Sequence, residues 1–367
     1  MKRLQRLWKH IHRLVDTAST HLRRYPNEAL AVSFLFCMTL LYTQGMRSVK
    51  QETASLSSLR GQTSVTTTTI VVGDSLSDVD HGPEVTLPVH FNYLSNNNQT
   101  LSIGSPTPIL WYTPRSGGNT VAQILGECRG FVMAGAWHGP PREKLEIVFE
   151  NGVKQITADL TTPDGRYRAR DQGLRDIVPT DVVLLSSNLQ ETSQVFSGSF
   201  QAELWAWFRH PIERQISTYF FLQSLPQDHP SFDPRIQVMS LSDWVRSDLH
   251  SPNALLGSLL GHPTSGDWNE LDLTIAKNLL RQKARIGLLE RKTESVQRFL
   301  AGRASSASGS RECQERLLDY AWTTKGRYPS IGVKSEAYKL LVQSNRLDMI
   351  LYEYAQNLFD EQDRRPS

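Results

Sequence analysis

An apolar run that stops at a Pro-Arg-Ser-Gly-Gly turn leaves this chain few ways to fold around it. Pro108 to Tyr112 reads as a buried strand and Asn119 to Cys128 as a helix, with Pro114-Arg-Ser-Gly-Gly118 between them. Backbone N–H groups from Ser116 to Thr120 then converge on one place, and the helix dipole favours negative charge there. The glycines let an anion approach the backbone closely. Strand, turn and helix together make an anion cradle.

A second segment, Trp207-Phe-Arg-His-Pro-Ile-Glu-Arg-Gln-Ile-Ser-Thr-Tyr219, repeats the logic. Ala202 to Phe208 reads as a buried strand, Arg209 stands at its exit, and Pro211 opens a helix to about Leu222. Ser217 lies eight residues beyond Arg209, two turns into that helix. A guanidinium fork and a hydroxyl are thereby offered to one phosphate.

Strands are expected near 108–113, 131–136, 181–186, 203–208 and 285–289. Helices are expected near 119–128, 211–222, 241–250, 271–283, 292–301 and, in two pieces, 334–361. Apolar strands alternating with helices imply an α/β fold, a parallel sheet covered on both faces, with ligands at the C-terminal strand edge. Arg115 and Arg209 both emerge at that edge. The magnesium-nucleotide loop G-x-x-x-x-G-K-[ST] does not occur in the chain.

Pro114-Arg-Ser-Gly-Gly-Asn-Thr120 resembles the 5′-phosphosulfate loop of sulfotransferases that use 3′-phosphoadenosine 5′-phosphosulfate (PAPS). Arg209-His-Pro-Ile-Glu-Arg-Gln-Ile-Ser217 is similar to their 3′-phosphate motif, and Lys325-Gly-Arg-Tyr-Pro329 to the loop that closes over PAPS in the heparan sulfate branch. Arg285-Ile-Gly-Leu-Leu-Glu290 and Leu347-Asp-Met-Ile-Leu-Tyr-Glu-Tyr-Ala355 look like late family elements, so the resemblance runs in order over residues 106–362. It implies a P-loop-like three-layer sheet that transfers a sulfuryl group from PAPS to a carbohydrate hydroxyl or amine without a metal. Arg115, Ser116, Gly117, Gly118, Asn119, Thr120, Arg209, Ser217, Lys325, Gly326 and Arg327 would hold PAPS. Arg115 stands where most of the family has a lysine, and its fixed charge would stabilise the leaving phosphate without donating a proton.

The proton acceptor departs from the family pattern. Asp181-Val-Val-Leu-Leu-Ser-Ser-Asn188 places Asn188 in the slot where several branches carry a histidine, and an amide is no base. His138, in Ala134-Gly-Ala-Trp-His-Gly139, becomes the candidate base, with Glu127 and Glu143 behind it. Tyrosine in a protein is the next acceptor class, and a silent PAPS- or glycan-binding protein is the competing reading. Arg166, Arg168, Arg170 and Arg175 suit a polyanionic acceptor or, more plainly, a solvated helix face alongside Asp171 and Asp176. Trp205 and Trp207 read as core.

The appendages set the expected location. Residues 1–28 carry seven basic side chains against Asp16 and Glu28, a net +5. The whole chain is +3, so about −2 remains beyond residue 28, and bulk nucleic-acid binding loses its main support. Ala29 to Met46 is an uncharged stretch of 18 residues, about 27 Å as a helix, enough for a thin membrane. The basic side of such a span stays cytosolic. A cleaved signal peptide is the alternative, disfavoured by the long charged lead. Residues 47–105 are rich in Ser and Thr and read as a stem bearing one sequon, Asn98-Gln-Thr100, before a catalytic domain at 106–367. The expectation is a single-pass type II Golgi membrane protein. Cys128 and Cys313 either pair or remain two buried thiols; with no Cys/His cluster at ligand spacing, no metal site is expected.

Overall fold

Thr107–Tyr112 forms β1, the strand on which the rest is arranged, and a parallel neighbour on each side leaves it almost wholly buried. In the computed structural model those neighbours are β5, Val182–Ser186, and β6, Ala202–Phe208. The structure describes residues 85–97, 106–139, 142–174, 182–197, 201–261, 267–301, 311–323 and 328–364. The expected tail, anchor and most of the stem, including Asn98, lie outside them, as do Arg175 and Lys325, Gly326 and Arg327. Among the described residues no helix is long and apolar enough to cross a membrane.

The sheet has seven strands in the order β3-β4-β2-β5-β1-β6-β7, with β2 at Val132–Ala134, β3 at Ile147–Glu150, β4 at Val153–Ile156 and β7 at Ala284–Leu288. Every pairing is parallel except β3 with β4, so the expected parallel sheet carries an antiparallel edge. The strand expectations missed that hairpin. Its signal was Asn151-Gly152, both at positive φ, +51° and +83°, as the mirror-image turn of a two-residue hairpin requires.

Helices cover both faces, because side chains alternate along each strand. Ile109, Trp111, Leu204, Ala206 and Phe208 face one core with α8 (Glu270–Lys283) and α12 (Arg346–Arg364). Leu110, Val183, Trp205 and Trp207 face the other with α1 (Gly118–Gln123), its π-helical continuation Ile124–Cys128, and α9 (Lys292–Leu300). Between them in the chain run α2 (Pro163–Asp171), α3 (Leu189–Ser193), α4 (Pro211–Gln223), α5 (Pro234–Val238), α6 (Leu241–Arg246) and α7 (Ala254–Leu260). After α9 come α10 (Arg311–Thr323) and α11 (Glu336–Ser344). Of these, α3, α5, α7 and α10 were not expected, while α2 carries the helix face read around Arg166, Arg168 and Arg170. The expected helix near 241–250 stops at Arg246.

Cys128 and Cys313 are disulfide-bonded across 185 residues, tying the end of the α1 segment to α10. Closing so long a loop restricts the unfolded chain, so replacing both cysteines with alanine is expected to cost about 2–5 kcal/mol of stability. Urea unfolding of the full chain reads this, and an unchanged midpoint contradicts it.

Candidate active site

The glycine turn keeps the shape its sequence implies, and two backbone angles explain why. Arg115 is held at φ +69° and Gly117 at +80°. Only glycine takes this region freely; a residue such as arginine pays about 1–2 kcal/mol there. What holds Arg115 is visible: its carbonyl accepts a hydrogen bond from Arg209 Nη1 at 2.8 Å. The first intrahelical bond of α1 runs from Thr120 N–H to Gly117 O at 3.1 Å. Among the described residues the N–H groups of Gly117, Gly118 and Asn119 have no backbone acceptor. They remain for an anion.

Gly118 is required for packing as well as approach. A Cβ there would lie 2.1 Å from the Tyr112 ring, which closes the cradle from the β1 side and donates its hydroxyl to Asn119 Oδ1 at 3.0 Å. Ser116 turns away from the ligand side. Its hydroxyl bonds Thr113 Oγ1 at 2.7 Å, its carbonyl accepts from Trp207 Nε1 at 3.0 Å, and its side chain is fully buried.

The two segments singled out in the sequence meet. Arg115 Nε donates to Ser217 Oγ at 3.1 Å across 102 residues, and its Nη2 bonds the Tyr328 hydroxyl. Ser217 Oγ also reaches Tyr328 at 3.3 Å, and the Tyr328 ring stacks on Phe220 at 5.5 Å between centroids. Phe221, the next residue, lies under the Arg115 guanidinium at 4.8 Å. Arg115, Gly117, Gly118, Asn119, Thr120, Arg209 and Ser217 all line one cavity of about 620 Å³.

Charge in that lining is unbalanced toward the positive. Arg115, Arg209 and Lys292 stand against one carboxylate, Glu290. Glu290 is itself engaged, accepting from His210 N–H at 3.0 Å and from the Tyr352 hydroxyl at 2.9 Å. Arg209 is 7% exposed, and Glu213 lies 3.8 Å away. Burial pushes the Arg209 pKa down, against the pull of Glu213, Glu290 and Tyr328. Burial likewise lowers Lys292, opposed by Asp319. A bound anion would favour the charged form of both.

The expected base is not brought to this cavity. Ala136 lines it, but His138 sits two residues further along the loop after β2, exposed to solvent and outside the lining. Glu127 and Glu143 are also exposed and outside it. Ser186 and Ser187 line the cavity, while Asn188 caps α3, its Oδ1 accepting from Glu191 N–H at 3.2 Å. Sequence reading assigned no role to Tyr328, Phe221, Glu290 or Lys292. Tyr328 and Glu290 lay inside quoted motifs, whereas nothing local marks Phe221 or Lys292.

The basic run before β5 divides. Arg166 is buried, paired with Glu191 at 2.9 Å and bonded to Leu160 O at 3.1 Å, so it is structural; Arg168 bonds the Arg142 carbonyl, and Arg170 is exposed. Trp205 and Trp207 are core, as expected. No family model matches the chain, and comparison with curated proteins finds no match either.

Proposed function

We propose that the chain transfers a sulfuryl group from PAPS to a hydroxyl or amine of a carbohydrate acceptor, releasing 3′-phosphoadenosine 5′-phosphate. The observation that carries this reading is the convergence of Arg115, Arg209 and Ser217 on the glycine cradle. It is supported by a sheet whose order places β1 between β5 and β6, a P-loop-like arrangement with both grips at the C-terminal edge.

The residues present fit a doubly phosphorylated nucleotide. Three lining cations face one engaged carboxylate, and the N–H groups of Gly117 to Asn119 are open beside them. In this reading the cradle holds the 5′-phosphosulfate, while Arg209 and Ser217 hold the 3′-phosphate. PAPS supplies the activated sulfur–oxygen bond. The acceptor oxygen or nitrogen forms a new bond to sulfur as the bridging bond to phosphate breaks, and negative charge grows on the departing phosphate. Arg115, fixed by Ser217 and Tyr328, stabilises that charge. The acceptor proton leaves to a base; the sequence nominates His138, which lies outside the cavity lining.

His138→Ala tests that role directly. If His138 takes the proton, turnover falls by roughly two to four orders of magnitude with bisphosphate affinity unchanged. Near-normal turnover removes the role, and a gain on Asn188→His returns it to the slot after Ser187. The silent-binder reading is favoured by one observation, the use of Asn188 as a helix cap.

Binding is the first test of the whole. The full chain in detergent is expected to bind 3′-phosphoadenosine 5′-phosphate in a calorimeter without added magnesium. No binding, or binding that needs magnesium, sinks the reading. We also propose a type II Golgi placement with the catalytic domain luminal. The disulfide supports an oxidising compartment, and protease treatment of sealed microsomes should spare the domain and remove the basic tail.

A further inference from the structure

Arg129 follows Cys128 and Gln314 follows Cys313, so the disulfide sets these two next residues side by side. Arg129 Nη2 donates to Gln314 Oε1 at 2.5 Å, and both line a second cavity of about 620 Å³. Lys292 and Arg311 bring two further cations to that lining, and Glu315 and Asp319 bring two carboxylates. The carboxylates are already engaged. Glu315 pairs with Arg311 at 2.9 Å, and Asp319 acts on Lys292.

Arg129 is different. Among the described residues no carboxylate lies in ion-pairing reach of Arg129, so it is the cation of this lining whose charge an incoming anion would neutralise. Lys292 lines this cavity and also the cavity over Arg115 and Arg209, so the two share a side chain. The basic run before β5 is no rival, because Arg166 is ion-paired with Glu191 and lines neither cavity.

We propose that the second cavity is an anion subsite for the acceptor, taking a carboxylate or sulfate on a sugar beside the one that receives the sulfuryl group. Arg129 is its principal ligand, and Lys292 stands where it joins the transfer site. That the anion arrives on an acceptor glycan rests on the sulfuryl-transfer reading; that an anion binds here does not. The disulfide gives the subsite its rigidity by fixing Arg129 against Gln314.

The test titrates the full chain with a sulfated, uronic-acid-containing disaccharide and with its desulfated, carboxyl-reduced neutral counterpart, alongside 3′-phosphoadenosine 5′-phosphate. The parent is expected to bind the acidic disaccharide about tenfold or more tighter than the neutral one, the scale of one ion pair. Arg129→Gln should remove that preference, Arg129→Lys should keep most of it, and both should bind the bisphosphate as the parent does. Gln297→Glu, which adds a carboxylate to the lining, should abolish acidic binding without touching Arg129. A parent with no preference, or an Arg129→Gln variant that retains it, overturns the subsite. If the bisphosphate binds none of the proteins while the preference and its loss persist, the sulfuryl-transfer reading falls and the anion subsite stands.

Discussion

Arg209→Ala is expected to weaken binding of 3′-phosphoadenosine 5′-phosphate by about 2 to 5 kcal/mol, a loss of more than an order of magnitude at the least. Two physical effects act together. The guanidinium is nearly buried, so removing it leaves a phosphate desolvated without its partner. It also holds the Arg115 carbonyl at 2.8 Å, and without that bond the left-handed backbone of Arg115 loses its main-chain anchor and keeps only its side-chain contacts. The loss therefore spreads to the 5′ end of the ligand. Ser217→Ala removes one hydroxyl from the pair with Arg115 and should cost clearly less. Titration calorimetry of the full-length variants ranks them; equal losses would mean that Arg209 has no second role.

Gly118→Ala should be nearly as damaging by another route. Its Cβ would sit 2.1 and 2.2 Å from two carbons of the Tyr112 ring, contacts that real structures do not tolerate. The ring has to swing toward the cavity that it lines, breaking its bond to Asn119 and filling the place of the phosphate. Overpacking of this kind costs about 1–3 kcal/mol of stability. Bisphosphate binding should fall further than stability does. Gly117→Ala adds the left-handed penalty and a clash with Leu289 Cδ1 at 2.6 Å, the movable end of a side chain. A Gly118→Ala protein that binds the bisphosphate normally would show that the cradle is not the phosphate site.

How much of this was legible follows from how local each signal is. β1, β5 and β6 were readable because strands buried on both faces are mostly continuous apolar runs, and the glycine turn because one local motif fixes its shape. The β3–β4 hairpin was overlooked despite Asn151-Gly152, since Ile147 to Glu150 is largely exposed and its apolar run is only three residues long. Helix α7, Ala-Leu-Leu-Gly-Ser-Leu-Leu260, is too short and too uniformly buried to show a period. Arg115 and Ser217 could be nominated separately, yet their 3.1 Å bond joins residues 102 apart and no pattern states it. Tyr328 depends on the same long-range closure. The pairing of Cys128 with Cys313, left open by the sequence, is a geometric fact with a Cα separation of 5.7 Å.

Transfer of radiolabelled sulfate from PAPS to a panel of glycans by the full-length chain tests the central claim most directly. The account predicts label in at least one glycan, no requirement for a divalent metal, and loss of roughly two to three orders of magnitude in turnover on Arg115→Ala. Parent protein that binds the bisphosphate yet labels no glycan and no tyrosine peptide would contradict it and leave a nucleotide-binding protein without transfer activity.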